Sequence, residues 1–232
     1  MRLIAVLGLL VLGACSVQSP LVVRSPGTPP IDSAARGQSA ARTFVSVIET
    51  VEPVAERECR ARTVGVNCDF VIVVDDRVGL QPNAFQTLDP EGRPIVGFTL
   101  SLIAAARNAD ELAFILGHEA SHHIEGHIER GRQSAYEGAV LLGTLASASG
   151  ASAARVREAQ QYGAALGARR YSKDFELEAD ALGTVIALRA GYDPVRGAEY
   201  FMRTPDPGNR FLGTHPPNAQ RIATVRRVAA GL

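Results

Sequence analysis

The 232-residue chain is short of several things, and each shortage narrows what it can do. Net charge is absent, with 24 Lys+Arg against 24 Asp+Glu and no basic block. Nucleic-acid affinity comes from many cations neutralising phosphates, so DNA and RNA drop out as partners. Lysine occurs once, at Lys173, among otherwise all-arginine basic residues, and no function follows from that skew. No apolar run reaches the length of a membrane-spanning helix. The nearest, residues 139–148, is short and diluted with Gly, Thr and Ser, so it reads as a small-residue packing helix. Three cysteines are too few for a disulfide scaffold. What remains, 46% apolar and 21% charged residues, is the composition of an ordinary folded domain.

Residues 1–14 carry one positive charge at Arg2, an apolar stretch over 3–12, and small residues at Gly13 and Ala14, the layout of a secretory signal. Ten helical residues reach only ~15 Å, about half of the ~30 Å hydrocarbon core. The stretch Leu12-Gly13-Ala14-Cys15 resembles a bacterial lipobox, in which Cys15 is acylated and becomes the new N-terminus. Ser16 in the next position, rather than Asp, resembles lipoproteins sorted onward to the outer membrane. Residues 15–38, rich in Pro, Ser and Gly, read as a flexible tether between that lipid anchor and a domain over 39–232. The expected location is the bacterial cell envelope, anchored at the outer membrane and facing the periplasm. In that oxidising compartment Cys59 and Cys68 are expected to bridge, the alternative being two separate buried thiols.

Apolar residues recur at helical spacing over 39–62, with Pro53 as a place to kink or divide the helix. Residues 69–75 read as a strand, and a turn at Asp89-Pro90-Glu91-Gly92 precedes a second strand, giving a short hairpin-like sheet. The pattern then turns helical: 100–106, 109–130, 133–148, 154–168, 172–190, 194–203 and 217–229. Strands first and helices after predict a mostly helical α+β fold.

Four of the five histidines, His118, His122, His123 and His127, fall within ten residues. Asn108 followed by Glu111 marks the start of their helix as a capping box. In it His118-Glu119-Ala120-Ser121-His122 matches the H-E-x-x-H pattern. Residues four apart differ by about 40° around a helix, so both imidazoles project from one face and Glu119 lies close enough to act as general base on a water. A zinc site needs a third protein ligand and an open fourth position. A third histidine in the metzincin register is excluded, because residues 125 and 128 are Glu125 and Ile128 and no Met-turn is available. Phe175-Glu176-Leu177-Glu178-Ala179-Asp180 supplies the better candidate. Glu176 and Asp180 share a helix face, Glu176 as ligand and Asp180 as acceptor from the second nitrogen of His118, whereas Glu178 points about 160° away. His123 is expected to face packing or solvent, and His127 to be a structural hydrogen-bonding residue on the same helix. His215, before Pro216 in a Pro/Gly-rich loop, is read either as an ordinary loop histidine or as a group reaching the open metal position. There it would donate to the transition state or act as a transient fourth ligand that keeps an enzyme latent.

H-E-x-x-H combined with E-x-E-A-D resembles the HtpX-like and CAAX-prenyl-endopeptidase-like zinc metallopeptidases, metallopeptidase family 48. The resemblance extends over residues 40–229 through Asn83-Ala84-Phe85, the strand from Pro94 to Thr99, Asp110-Glu111-Leu112, His127, Thr214-His215-Pro216 and Arg221-Ile222. It implies a gluzincin, with Glu176 as third ligand and one Zn²⁺ per chain, of the small periplasmic lipoprotein type. The expected activity is endoproteolysis of unfolded or misassembled envelope proteins, with Glu119 moving the proton. The expected partners are protein or peptide substrates, the membrane through the lipid anchor, and outer-membrane protein assembly machinery. The alternative is a zinc-bound chaperone or assembly factor for outer-membrane proteins. Substrate is expected to add as a strand to Ile95, Val96, Gly97, Phe98 and Thr99, if that strand is an edge, with Gly97 permitting close approach.

Overall fold

Phe44, Val47, Val51, Val54, Ala55 and Cys59 recur at three- and four-residue intervals and are all buried, which makes one face of α1 (Ile31–Arg62) the floor of the hydrophobic core. The computed structural model describes residues 31–208, 213 and 215–232. The expected leader, Cys15 and the tether up to residue 30 lie outside the described residues, and residues 31–38 of the expected tether are the first turns of α1. The helix runs through Pro53 without dividing.

Cys59 at the end of α1 and Cys68 are joined in a disulfide, with Cα atoms 5.7 Å apart. Both are buried, and the bridge fastens α1 to the approach to the first strand. Closing so short a loop contributes about 2–3 kcal/mol. Replacing both cysteines by serine is expected to lower the unfolding free energy by that amount in urea titrations. A disulfide-independent midpoint would contradict it.

The sheet has three strands, β1 (Val71–Asp75), β2 (Ala84–Leu88) and β3 (Pro94–Thr99), in the order β1-β3-β2. The two expected strands, β1 and β3, pair in parallel and not as a hairpin, Val71 opposite Ile95; the turn expected at 89–92 instead joins β3 to β2, a strand that the sequence pattern did not mark. This corrects the substrate-strand expectation. Ile95, Val96, Gly97, Phe98 and Thr99 form the central strand, paired along both edges, so no peptide can add there. Thr99 is further committed, its hydroxyl capping the next helix by accepting from Leu102 N–H. The open side of Gly97 is filled from within: a Cβ there would lie 2.2 Å from the ring of Phe85, its cross-strand partner. Strand alternation reveals faces but not neighbours, which is why the central position was invisible.

After α2 (Leu100–Ala105), α3 (Ala109–Ile124) is the central helix. Asn108 caps it as expected, accepting from Glu111 N–H, but the Glu111 carboxylate turns to Arg107 N–H and Arg203 instead of closing the box. The expected single helix over 109–130 is broken. Gly126 adopts φ 66°, the left-handed conformation that glycine tolerates at a helix end, and α4 (His127–Ala148) leaves in a new direction. α4 and α5 (Ala153–Arg170) form an antiparallel hairpin that packs chiefly on itself, with Gly138 against Gly163.

The hairpin returns the chain to α6 (Ser172–Arg189), which lies directly on α3. Their approach is set by Gly117 and Gly183. A Cβ on Gly183 would stand 2.8 Å from the backbone nitrogen of His118, and one on Gly117 2.9 Å from Gly183 O. Gly183→Ala must therefore push apart the two helices that carry the histidines and Glu176. It is expected to lower metal affinity as well as the melting temperature, read by chelator competition and thermal unfolding. Wild-type affinity would refute this spacing role. α7 (Pro194–Gly197), a 3-10 helix over Ala198–Arg203 and α8 (Asn218–Ala229) complete the wall beside α3 and α6.

Candidate metal centre

α3 and α6 bring His118, His122 and Glu176 together, one potential ligand atom from each lying within 4.8 Å of the others. The Nε2 atoms of His118 and His122 are 3.1 Å apart. Glu176 Oε2 lies 3.6 Å from His118 Nε2, and Glu176 Oε1 lies 3.5 Å from His122 Nε2. Ligands about 2.0–2.2 Å from a tetrahedral cation stand roughly 3.3–3.5 Å from one another, so this triangle has the right size.

The other ring nitrogens are engaged. His118 Nδ1 is 3.0 Å from Asp180 Oδ1, as expected, and since a carboxylate only accepts, Nδ1 carries a hydrogen and Nε2 is the nitrogen turned towards His122 and Glu176. Asp180 is fully buried and held by Arg221 of α8, whose Nε and Nη2 donate to its two oxygens at 2.8 and 2.6 Å. The Arg221 guanidinium lies over the Phe201 ring at 3.8 Å and reaches Glu176 Oε2 at 3.4 Å. The sequence marked Arg221 only through the family resemblance, because its role depends on a tertiary contact with Asp180, 41 residues away.

His127 is not on the helix of His122. In one continuous helix it would stand about 140° away around the axis. The break at Gly126 instead brings its Nδ1 to 2.8 Å from His122 Nδ1, while its Nε2 lies 3.0 Å from Glu178 Oε2. Glu178 does face away from Glu176, as expected, but towards His127 and Arg130 and not towards solvent alone. His123 stays outside the cluster, its Nε2 donating to Asn67 O at 2.7 Å and its ring against Phe70. His215 reaches the centre: its side chain is exposed, and Nδ1 is 3.1 Å from Glu176 Oε2.

Burial would raise the Glu176 carboxyl, but the His215 hydrogen bond and the charges of His118 and Arg221 hold it well below the usual carboxylate range. Asp180 is likewise lowered, burial being outweighed by His118 and Arg221. His122 is pushed down to about 3, by burial first and then by the charge of His118. Burial also acts downwards on His118, yet Asp180 and Glu176 leave it raised. Glu119 is raised, mainly by burial and also by Glu176, with His118 opposing. Ionised carboxylates and imidazole nitrogens gathered in a largely buried cluster are a donor set for a cation, and two histidines with one glutamate suit zinc.

The cluster floors a cleft of about 400 Å³. Glu119, His215, Asn218 and Arg221 line it with the ligand triad, Asn83 and Ala84 border it beside β2, and Phe114, Tyr200 and Phe201 form an apolar wall.

A model of peptidase family M48 matches residues 42–229. A Vibrio cholerae protein named "Putative beta-barrel assembly-enhancing protease" is 30% identical over 141 residues. The match takes in 55% of this chain but spans only 29% of that relative's length.

Proposed function

The chain belongs to peptidase family M48, and on that premise we propose that it is a zinc-dependent endopeptidase acting on unfolded or misassembled proteins of the bacterial envelope. The observation that carries this reading is the convergence of His118, His122 and Glu176 on the floor of a cleft that also holds Glu119. His118, His122 and Glu176 would hold one zinc ion per chain. When bound, zinc lowers the pKa of water to roughly 7 and polarises a carbonyl.

The residues of the chain do the rest. Glu119 Oε takes the proton of the attacking water and returns it to the leaving amine, and burial raises its carboxyl above the usual carboxylate range. Asp180, clamped by Arg221, keeps the hydrogen of His118 on Nδ1. His215, beside Glu176, donates to the reacting carbonyl oxygen or withholds the triad. A fall in turnover for His215→Ala assigns the first role, a rise the second.

With β3 central, strand addition moves to β2, the edge that borders the cleft. Asp89 N–H donates to Arg93 O and Thr99 N–H to Asn83 O, so odd-numbered β2 residues bond to β3 and the backbone groups of Ala84 and Gln86 point outward. An extended substrate would pair there. Anchoring through a lipidated Cys15 at the outer membrane, facing the periplasm, belongs to the same proposal.

The test is digestion of an unfolded outer-membrane β-barrel protein by the full-length protein. A chelator should abolish cleavage and added zinc restore it, while cleavage that ignores chelation would overturn the reading. A second reading, an assembly factor for outer-membrane proteins, is favoured by the name of the Vibrio cholerae relative. Zinc-loaded protein that cuts nothing, yet complements a deletion in cells as well with Glu119→Gln as without, would establish it instead.

A further inference from the structure

His118 and His122 are oriented by different devices. His118 is held directly by a buried carboxylate. His122 meets no carboxylate with its Nδ1; its neighbour there is another imidazole, that of His127, at 2.8 Å. Two ring nitrogens at that distance share one hydrogen, so one donates and the other accepts. The far side of His127 decides which. Glu178 Oε2, 3.0 Å from His127 Nε2, can only accept, so the hydrogen of His127 sits on Nε2 and its Nδ1 is bare. His122 must then donate from Nδ1, which leaves its own Nε2 with a lone pair directed at His118 Nε2 and Glu176.

The parts of this chain are held in place. Arg130 Nη1 and Nη2 donate to both oxygens of Glu178 at 2.5 and 3.2 Å, which fixes the carboxylate. The His127 ring is stacked on Phe175, centroids 4.6 Å apart and planes within 12°, and the Arg130 guanidinium also packs on that ring at 4.4 Å. His127 is 6% exposed, so water does not compete freely for Nδ1.

We propose that His127 is a positioning residue for His122: Arg130 and Glu178 hold it in the tautomer that accepts from His122 Nδ1, and His122 thereby presents Nε2 to the cation. The inference rests on the assignment of His118, His122 and Glu176 as the zinc ligands. It makes Glu178 and Arg130 part of the metal centre although neither touches it.

Asparagine and glutamine separate the two nitrogens of His127. Asn carries its carbonyl oxygen where Nδ1 stands, so His127→Asn keeps the acceptor for His122 and gives up the link to Glu178. Gln reaches the position of Nε2, so His127→Gln keeps that link and loses the acceptor. Zinc affinity of the full-length protein, measured by competition with a chromophoric chelator, is expected to fall about 10- to 100-fold in His127→Gln and to stay near wild type in His127→Asn. Glu178→Ala is expected to weaken zinc about tenfold by freeing the tautomer. The absorption bands of the cobalt-substituted protein should shift in His127→Gln but not in His127→Asn, and circular dichroism of the metal-free forms shows whether each variant folds. Equal zinc affinities in the Asn and Gln variants, whether both strong or both weak, would overturn the proposal while leaving the ligand triad standing. A wild-type protein that binds no zinc would remove the triad, and the relay with it.

Discussion

Glu119→Gln is expected to reduce peptide-bond cleavage by about 10²–10⁴-fold, the usual worth of a positioned general base, with zinc still bound at one per chain. The substitution keeps size and shape but removes the ability to take a proton. Burial and the nearby Glu176 charge raise the carboxyl of Glu119, with His118 and Arg221 opposing. Metal content should not change, because the ligand atoms come from His118, His122 and Glu176. Initial rates on an unfolded β-barrel protein, with zinc quantified in the same preparations, decide it. Undiminished cleavage would remove Glu119 from the chemistry, and loss of zinc along with activity would make the residue a structural one.

The second large effect is expected at Glu176→Ala, which should leave the protein unable to retain stoichiometric zinc. Two imidazoles without the carboxylate form an incomplete set, and Arg221 Nη2, 3.4 Å from Glu176 Oε2, would then present its charge to any incoming cation unopposed on that side. Zinc that binds only the folded state stabilises it by about 4 kcal/mol at a thousandfold excess over Kd. In a domain of this size that raises the melting temperature by roughly 10 °C. The wild type should show that rise and Glu176→Ala should not. An equal rise in both would mean that zinc sits elsewhere.

The parts of the site that could be read in the chain are those confined to one helix. His118, Glu119 and His122, and likewise Glu176 and Asp180, have spacings whose geometry follows from 3.6 residues per turn, and the pairing of the two motifs follows from zinc's need of a third ligand. The bridge between Cys59 and Cys68 was also legible, from the cysteine count and the compartment expected of the chain. What could not be read depends on how elements meet. The central place of β3 is a matter of strand order, on which alternation is silent. The partner of Glu178 emerged only once α4 left the line of α3. Gly126 was the available signal, since glycine in the left-handed region ends helices, but the periodicity of the residues around it suggested continuation.

His122 and Glu176 belong to helices that touch directly, while the chain between them travels out along α4 and back along α5. At its base His127 touches His122 and Arg130 touches Glu178, but no described residue of that excursion lines the cleft. Its outer turns are therefore exchangeable: over evolutionary time they can lengthen, shorten or change surface character at little thermodynamic cost. The helix contact that gathers His118, His122 and Glu176 is thereby insulated from change at the far end of the hairpin.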